Sequence, residues 1–274
     1  MRRTLALLFG TILLLAGRAV AAEPAFQVFP PSNLYPGYIA DPRRPEFGLT
    51  ALAVPDPAIP DSGDQRFGLK LGGRFGLLRA RGWQFDIEAG FTGQFDIDHS
   101  LDNIGWDGTY AFLLSRELGE GLAVQAGGKH ISSHVGDEYA ERTGRRRIDY
   151  AREEIAAGLS WVARPGWRTY AEAGWSFEPR EDIGQEPGRL QAGLEREAPG
   201  SLLGGRVGWY AALDLGALEE RGWQVDPTLQ AGFLIPSGHR LWRVGLGYHD
   251  GTVPIGEFFQ VDERYVILGL WLSP

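Results

Sequence analysis

The chain has 274 residues, a formal charge of −8, no cysteine, 39 glycines and nine tryptophans. Without cysteine it has no disulfide, no thiolate metal site and no lipoprotein anchor. An acidic chain whose longest basic run is Arg145-Arg146-Arg147 is a poor nucleic-acid binder, so no nucleic acid is expected as a partner.

The first residues read as a secretory leader. Arg2 and Arg3 form a basic start, Leu5 to Leu15 an apolar stretch, and Ala19-Val20-Ala21 a small-residue cleavage site, so residues 1–21 are expected to be a signal peptide. Polar residues interrupt every later apolar run, which argues against a transmembrane helix. Residues 22–46 are rich in proline and lack a period, so they read as a periplasmic lead-in. Residues 47–274 alternate with period two almost throughout. In the clearest run Phe85, Ile87, Ala89 and Phe91 alternate with Gln84, Asp86, Glu88 and Thr92. About twelve such runs follow one another, each near the length a tilted membrane strand needs.

The connections alternate between short and long. Arg79–Gly82, Leu118–Gly121 and Ala163–Gly166 are short, whereas Pro55–Gln65, Val135–Ile148, Glu178–Pro187 and Asp250–Glu263 are long. That parity predicts an all-β, closed antiparallel transmembrane β-barrel in the outer membrane of a Gram-negative bacterium, with short periplasmic turns and external loops. Trp83, Trp167 and Trp223 each follow a turn glycine, as interface anchors do. The polar row, including Arg74, Glu88, Lys129, Arg206 and Arg243, is then expected to fill the lumen by pairing.

Chemistry concentrates in Lys129–Glu138. On a strand, His130, Ser132 and His134 share the apolar, membrane-facing side, while Ser133 points the other way and is expected to be silent on substitution. His130 is a candidate general base for a Ser132 nucleophile. If the following loop is symmetric, Glu153 faces His130 and Asp149 faces His134, so either acid is a candidate orienting group. The two histidines stand about 13 Å apart along a strand, too far for one metal ion. No cofactor is expected, and Asp137 with Glu138 is the one pair that suggests calcium. The rim also has a structural reading, because polar and aromatic residues gather at membrane boundaries.

Two stretches resemble a bacterial outer-membrane family known as domain of unknown function 1207: His130-Ile131-Ser132-Ser133-His134-Val135-Gly136-Asp137-Glu138, and Tyr248-His249-Asp250-Gly251 through Pro254-Ile255-Gly256-Glu257-Phe258-Phe259. The likeness begins at Ile39-Ala40-Asp41-Pro42-Arg43 and implies an outer-membrane barrel without an established activity. His130 and Ser132 also resemble the outward-facing His-x-Ser of outer-membrane phospholipase A and of lipid A 3-O-deacylase. Where those enzymes carry an orienting Asn or Glu, this chain has Arg142 to Gly144.

Two functions follow as expectations. One is a structural or interaction barrel whose external loops, through His134, Asp137, Glu138, His249, Asp250 and Glu257, contact a surface glycolipid or a protein partner. The other is a lipid-acyl ester hydrolase using His130, Ser132, Glu153 and Asp149 on outer-membrane lipid.

Overall fold

Alternating sequences give each strand one apolar and one polar face, and antiparallel pairing brings like faces together. In a computed structural model that describes residues 26–238 and 240–273, a two-residue strand β1 (Gln27–Val28) precedes twelve long ones. These are β2 (Phe47–Ala53), β3 (Gln65–Ala80), β4 (Trp83–Asp96), β5 (Asp102–Gly119), β6 (Leu122–Val135) and β7 (Ala151–Arg164). There follow β8 (Trp167–Ser176), β9 (Gly188–Leu202), β10 (Val207–Leu218), β11 (Val225–Ser237), β12 (Arg240–Thr252) and β13 (Asp262–Ser273). Neighbours from β2 to β13 pair antiparallel in chain order. β13 then pairs back onto β2, from Val266 opposite Ala53 to Leu272 opposite Phe47, so the twelve strands close a barrel. The expected signal peptide, residues 1–21, lies outside the described residues.

Short turns gather at one end. Arg81-Gly82 and Glu120-Gly121 each hold positive φ at both positions (51° and 76°, 53° and 75°), the hairpin shape that matches strand twist. The long connections share the opposite end, which is therefore the outer one.

The two faces of the wall are inverted relative to a soluble protein. Leu71, Phe75, Phe112, Ile155, Phe233 and Leu268 are exposed outside, whereas Arg66, Asp86, Gln125, Glu172, Asp214 and Arg243 are buried inside. The outside is thus a lipid-facing surface, and the protein is an outer-membrane barrel. Among the described residues no helix is long and apolar enough to cross a membrane; strands make the crossing. Inside, Arg74 pairs with Glu88 at 2.8 Å, Lys129 with Glu172 at 2.6 Å, and Arg243 with Glu46. Arg206 departs from the expected lumen row. It is exposed beside the β9–β10 turn, where a register shift between Val207 and Trp209 breaks the alternation.

The segment read as a periplasmic lead-in, residues 22–46, contains a larger departure. β4 occupies one edge of β3 from Arg66 to Ala80. β1 and β2 pair with the two ends of β3 and must share its other edge, so they are two pieces of one interrupted wall strand. Between them the chain turns into the lumen. Arg74 Nη1 donates to the Tyr35 carbonyl at 2.6 Å, and Arg168 donates to the carbonyls of Pro36 and Gly37 at 2.6 and 3.1 Å. The Ile39 amide donates to Glu195 at 2.6 Å, while Tyr38 donates to Glu172 and stacks on Tyr170 with ring centroids 3.7 Å apart. Tyr35 and Ala40 are wholly buried. A proline-rich segment can lie there because lumen side chains satisfy the backbone groups that it cannot pair with itself.

External loops close the outer mouth. Ile59, Ile104, Val135, Tyr139, Val253, Ile255 and Phe258 pack into one buried cluster. Tyr139 belongs to a short helix, α1 (Asp137–Thr143), within the connection that the sequence reads as a loop. Gly136, which ends β6, has to be glycine: a Cβ there would lie 1.7 Å from the Asn103 carbonyl oxygen.

Candidate site at the outer rim

β6 carries the His-x-Ser-x-His row, flanked by β5 and β7. The register sets His130 between Tyr110 and Glu153, Ser132 between Gly108 and Ala151, and His134 opposite Trp106. Alternation places this row on the outside, because Ser133 beside it is fully buried on the lumen side. Glycine and alanine on either side of Ser132 leave its hydroxyl in a shallow notch between larger groups. The notch is bounded by aromatic rings: Tyr110 stacks on His130 at 4.5 Å and Trp106 on His134 at 4.2 Å.

The polar contacts divide into two pairs. His130 Nδ1 hydrogen-bonds Glu153 Oε1, leaving Nε2 as the free nitrogen of that ring. Ser132 Oγ lies 3.1 Å from His134 Nε2, so in this conformation the serine is partnered by the histidine two residues on, not by His130. Both histidines are next-but-one neighbours of Ser132 on the same strand face. Asp149 lies close enough to His134 to act on it through its charge but makes no hydrogen bond to either histidine among the described residues, although the Ser133 amide still donates to the Tyr150 carbonyl at 2.9 Å. The β6–β7 ladder ends at Ser132 opposite Ala151, and Asp149 lies beyond it at φ 54°, paired with Arg147 at 2.6 Å.

A carboxylate–imidazole pair on the lipid face five residues below the end of β6 is expensive to keep there without a task. The carboxylate of Glu153 is 36% exposed and His130 20%.

The remaining expected loop residues separate by burial. His249 is buried, bonded to Thr228 Oγ1 at 2.8 Å and to the Thr252 carbonyl at 3.0 Å, and Glu257 is buried with its carboxylate accepting the Ile148 amide at 3.0 Å. Neither faces a partner at the surface. Asp137 and Glu138 are exposed in the first turn of α1, and Asp250 pairs with Arg264 at 3.0 Å. Among the described residues no group of three or more His, Cys, Asp or Glu could hold a metal ion.

Sequence reasoning missed the inner partner of this rim. Asp107 on β5 accepts the Gly256 amide at 3.0 Å, and Ser133 accepts the Glu257 amide at 2.8 Å, the second bond joining the two motif stretches. Only a common strand end, with polar residues on its inward face, signals such a clasp in advance. Deeper in the lumen a cavity of about 110 Å³ is lined by Asp41, Arg43, Lys129, Arg189 and Asp214 among others.

Comparison with known proteins bears on the fold. A family model described as a protein of unknown function, DUF1207, matches residues 17–273. No curated protein matches the chain. Outer membrane phospholipase A from Escherichia coli is similar in structure, with a TM-score of 0.57 at 10% identity over 82% of this chain and 92% of that one. An active-site mutant of the same enzyme gives a TM-score of 0.60 at 12% identity, covering 88% and 95%. The calcium-bound dimer from Salmonella typhi gives 0.58 at 11% identity, covering 82% and 90%. At these identities the likeness is one of fold.

Proposed function

Because the chain belongs to the DUF1207 family of outer-membrane barrels, in which no activity is assigned, we propose a function from its own rim: hydrolysis of acyl esters in membrane lipid. The observation that carries this reading is the His130–Glu153 hydrogen bond on the lipid face, beside a serine whose hydroxyl is already bonded to an imidazole. The barrels of similar fold named phospholipase A act on lipid, and that analogy supports the choice of substrate class.

In this mechanism Ser132 rotates from His134 toward His130. Neutral His130 Nε2 takes the hydroxyl proton as Oγ attacks the ester carbonyl, and Glu153 stabilises the imidazolium that forms. His130 then protonates the departing alcohol, and a water activated by the same imidazole releases the fatty acid from Ser132. His134 lacks a carboxylate hydrogen-bonded to Nδ1, so it is a weaker base and serves to hold the resting hydroxyl. An outward site suits an amphiphile, whose ester reaches this depth without leaving the bilayer.

The test is fatty-acid release from outer-membrane lipid by the purified protein. Wild type releases acid and Ser132→Ala does not; equal release by both would refute the reading. A second reading, an interaction barrel, draws support from the packed external cap, where Asp137, Glu138 and Arg146 remain exposed toward a surface glycolipid or a protein partner.

A further inference from the structure

Most arginines of the barrel are paired with carboxylates, in the lumen as Arg66 is with Glu263 at 2.6 Å and Arg189 with Glu154 and Glu172 at 2.5 and 2.6 Å, and in the outer loops as Arg264 is with Asp250 at 3.0 Å. At the opposite, periplasmic rim stand arginines without a carboxylate partner among the described residues. Three side chains there form a cross-strand row on β7, β8 and β9: Arg164 is opposite Trp167, and Trp167 is opposite Arg196. The guanidinium of Arg164 lies 5.1 Å from the centre of the indole and that of Arg196 lies 5.5 Å from it, so one ring carries two cations. Arg196 also lies 5.7 Å from Trp209 and anchors itself by donating from Nη1 to the Pro165 carbonyl at 2.9 Å. The same arrangement recurs once more on this rim, where Arg116 lies 4.9 Å from Trp83.

A guanidinium held beside an indole by cation–π attraction keeps its charge and its N–H donors, which can capture a phosphate oxygen pair. Trp167 is half-buried and Arg164 exposed, at the last ladder pair of the β7–β8 hairpin, where lipid headgroups meet water. Exposed carboxylates of the same rim, Glu117 and Glu120, sit at the β5–β6 turn rather than in this row.

We propose that Arg164, Trp167 and Arg196 bind the phosphodiester headgroup of a phosphoglyceride in the periplasmic leaflet. Two unneutralised cations in one row supply the charge complement, and the flanking exposed Trp161 and Val162 supply an apolar wall for its chains. This site is independent of the ester hydrolysis proposed for the other rim.

The experiment uses the full barrel reconstituted in nanodiscs containing phosphatidylglycerol. After release into detergent, lipid retention is read by native mass spectrometry. Wild type should retain phosphatidylglycerol, and the Arg164→Ala/Arg196→Ala double variant should retain about tenfold less, the loss expected for charge-assisted hydrogen bonds. Replacing both by lysine should restore retention only in part, because the fork geometry is lost. Arg180→Ala, in the external loop between β8 and β9, should behave as wild type. Heat-modifiable gel mobility checks that each variant is folded. Equal retention by the folded double variant, or equal retention of uncharged diacylglycerol by the wild type, would overturn the proposal.

Discussion

Ser133 Oγ accepts the backbone amide of Glu257 at 2.8 Å, joining two residues 124 positions apart in the chain. The bond ties the inward face of β6 to the loop that closes the mouth, one residue from the serine assigned to chemistry. Ser133→Ala leaves a buried amide unpaired and should cost about 1–3 kcal/mol of stability, whatever its effect on lipid-ester cleavage. Ser132→Ala, on the outer face, should leave stability nearly unchanged. Urea unfolding of the refolded barrels measures both, and equal midpoints would refute the clasp.

The two histidines should respond differently. His130→Ala should lower lipid-ester cleavage by at least about a hundredfold, as loss of a general base does. His134→Ala removes only the partner of the resting hydroxyl and should leave most of the rate. Glu153→Gln should lower the rate less than His130→Ala while changing its dependence on pH, since the amide no longer stabilises the imidazolium. A His134→Ala protein as inactive as His130→Ala would make the structure's Ser132–His134 bond the catalytic one.

Glu220 gives a pH prediction outside the spanning strands. It lies in the short external turn between β10 and β11, where burial raises its pKa above the ordinary glutamate value of 4.5 despite the Arg152 guanidinium at 3.1 Å. The folded state therefore holds this proton more tightly than the unfolded state does. The stability contributed is present at acid pH and is lost as pH rises from 4.5 through the raised value. Glu220→Gln should remove that slope, so the stability of wild type relative to the variant should fall with rising pH across this window. A constant difference across it would contradict the sign.

The lumen should conduct little. Most of its arginines pair with carboxylates, residues from Tyr35 to Ala40 lie among them, and the loops pack over the mouth. In planar bilayers the wild type should show no steady channel. The Arg168→Ala/Arg243→Ala variant, which releases donors to the Pro36, Gly37 and Ile39 carbonyls, should show openings. A large stable conductance from the wild type would mean the lumen is not filled.

Most of the wall was legible because period-two alternation is what a half-lipid, half-polar strand requires, and the interval from Phe85 to Ile97 shows it plainly. The pairing of His130 with Glu153 followed from the same symmetry and is met in the register. Asp149 follows the symmetry as far as the Ser133–Tyr150 hydrogen bond carries it, but its carboxylate turns to Arg147 instead of bonding His134. Parity also made His130 and His134 equivalent neighbours of Ser132, and only a side-chain rotamer distinguishes them. The segment around Tyr35 was illegible for another reason. Arg74 and Arg168 hold its carbonyl groups, which every residue type has, so no sequence pattern marks the contact.

The interrupted wall strand constrains the order of biogenesis. β1 and β2 fix both ends of the inward excursion to β3, and the final seam of the barrel is β2 with β13. Once that seam zips and the loops have packed, the excursion would have to enter a space already roofed. The economical sequence has the nascent hairpin of β2 and β3 carry its inward segment first, with later strands wrapped around it and the C-terminal strand as the last to arrive. Because the chain has no cysteine, a pair introduced at Tyr38 and Glu172, whose long side chains meet tip to tip at 3.1 Å, can be bridged by a bifunctional thiol reagent of matching length to time this event. Cross-linking before β13 has paired with β2 would mark the segment as a mandrel for the barrel; cross-linking only after closure would make it a late guest.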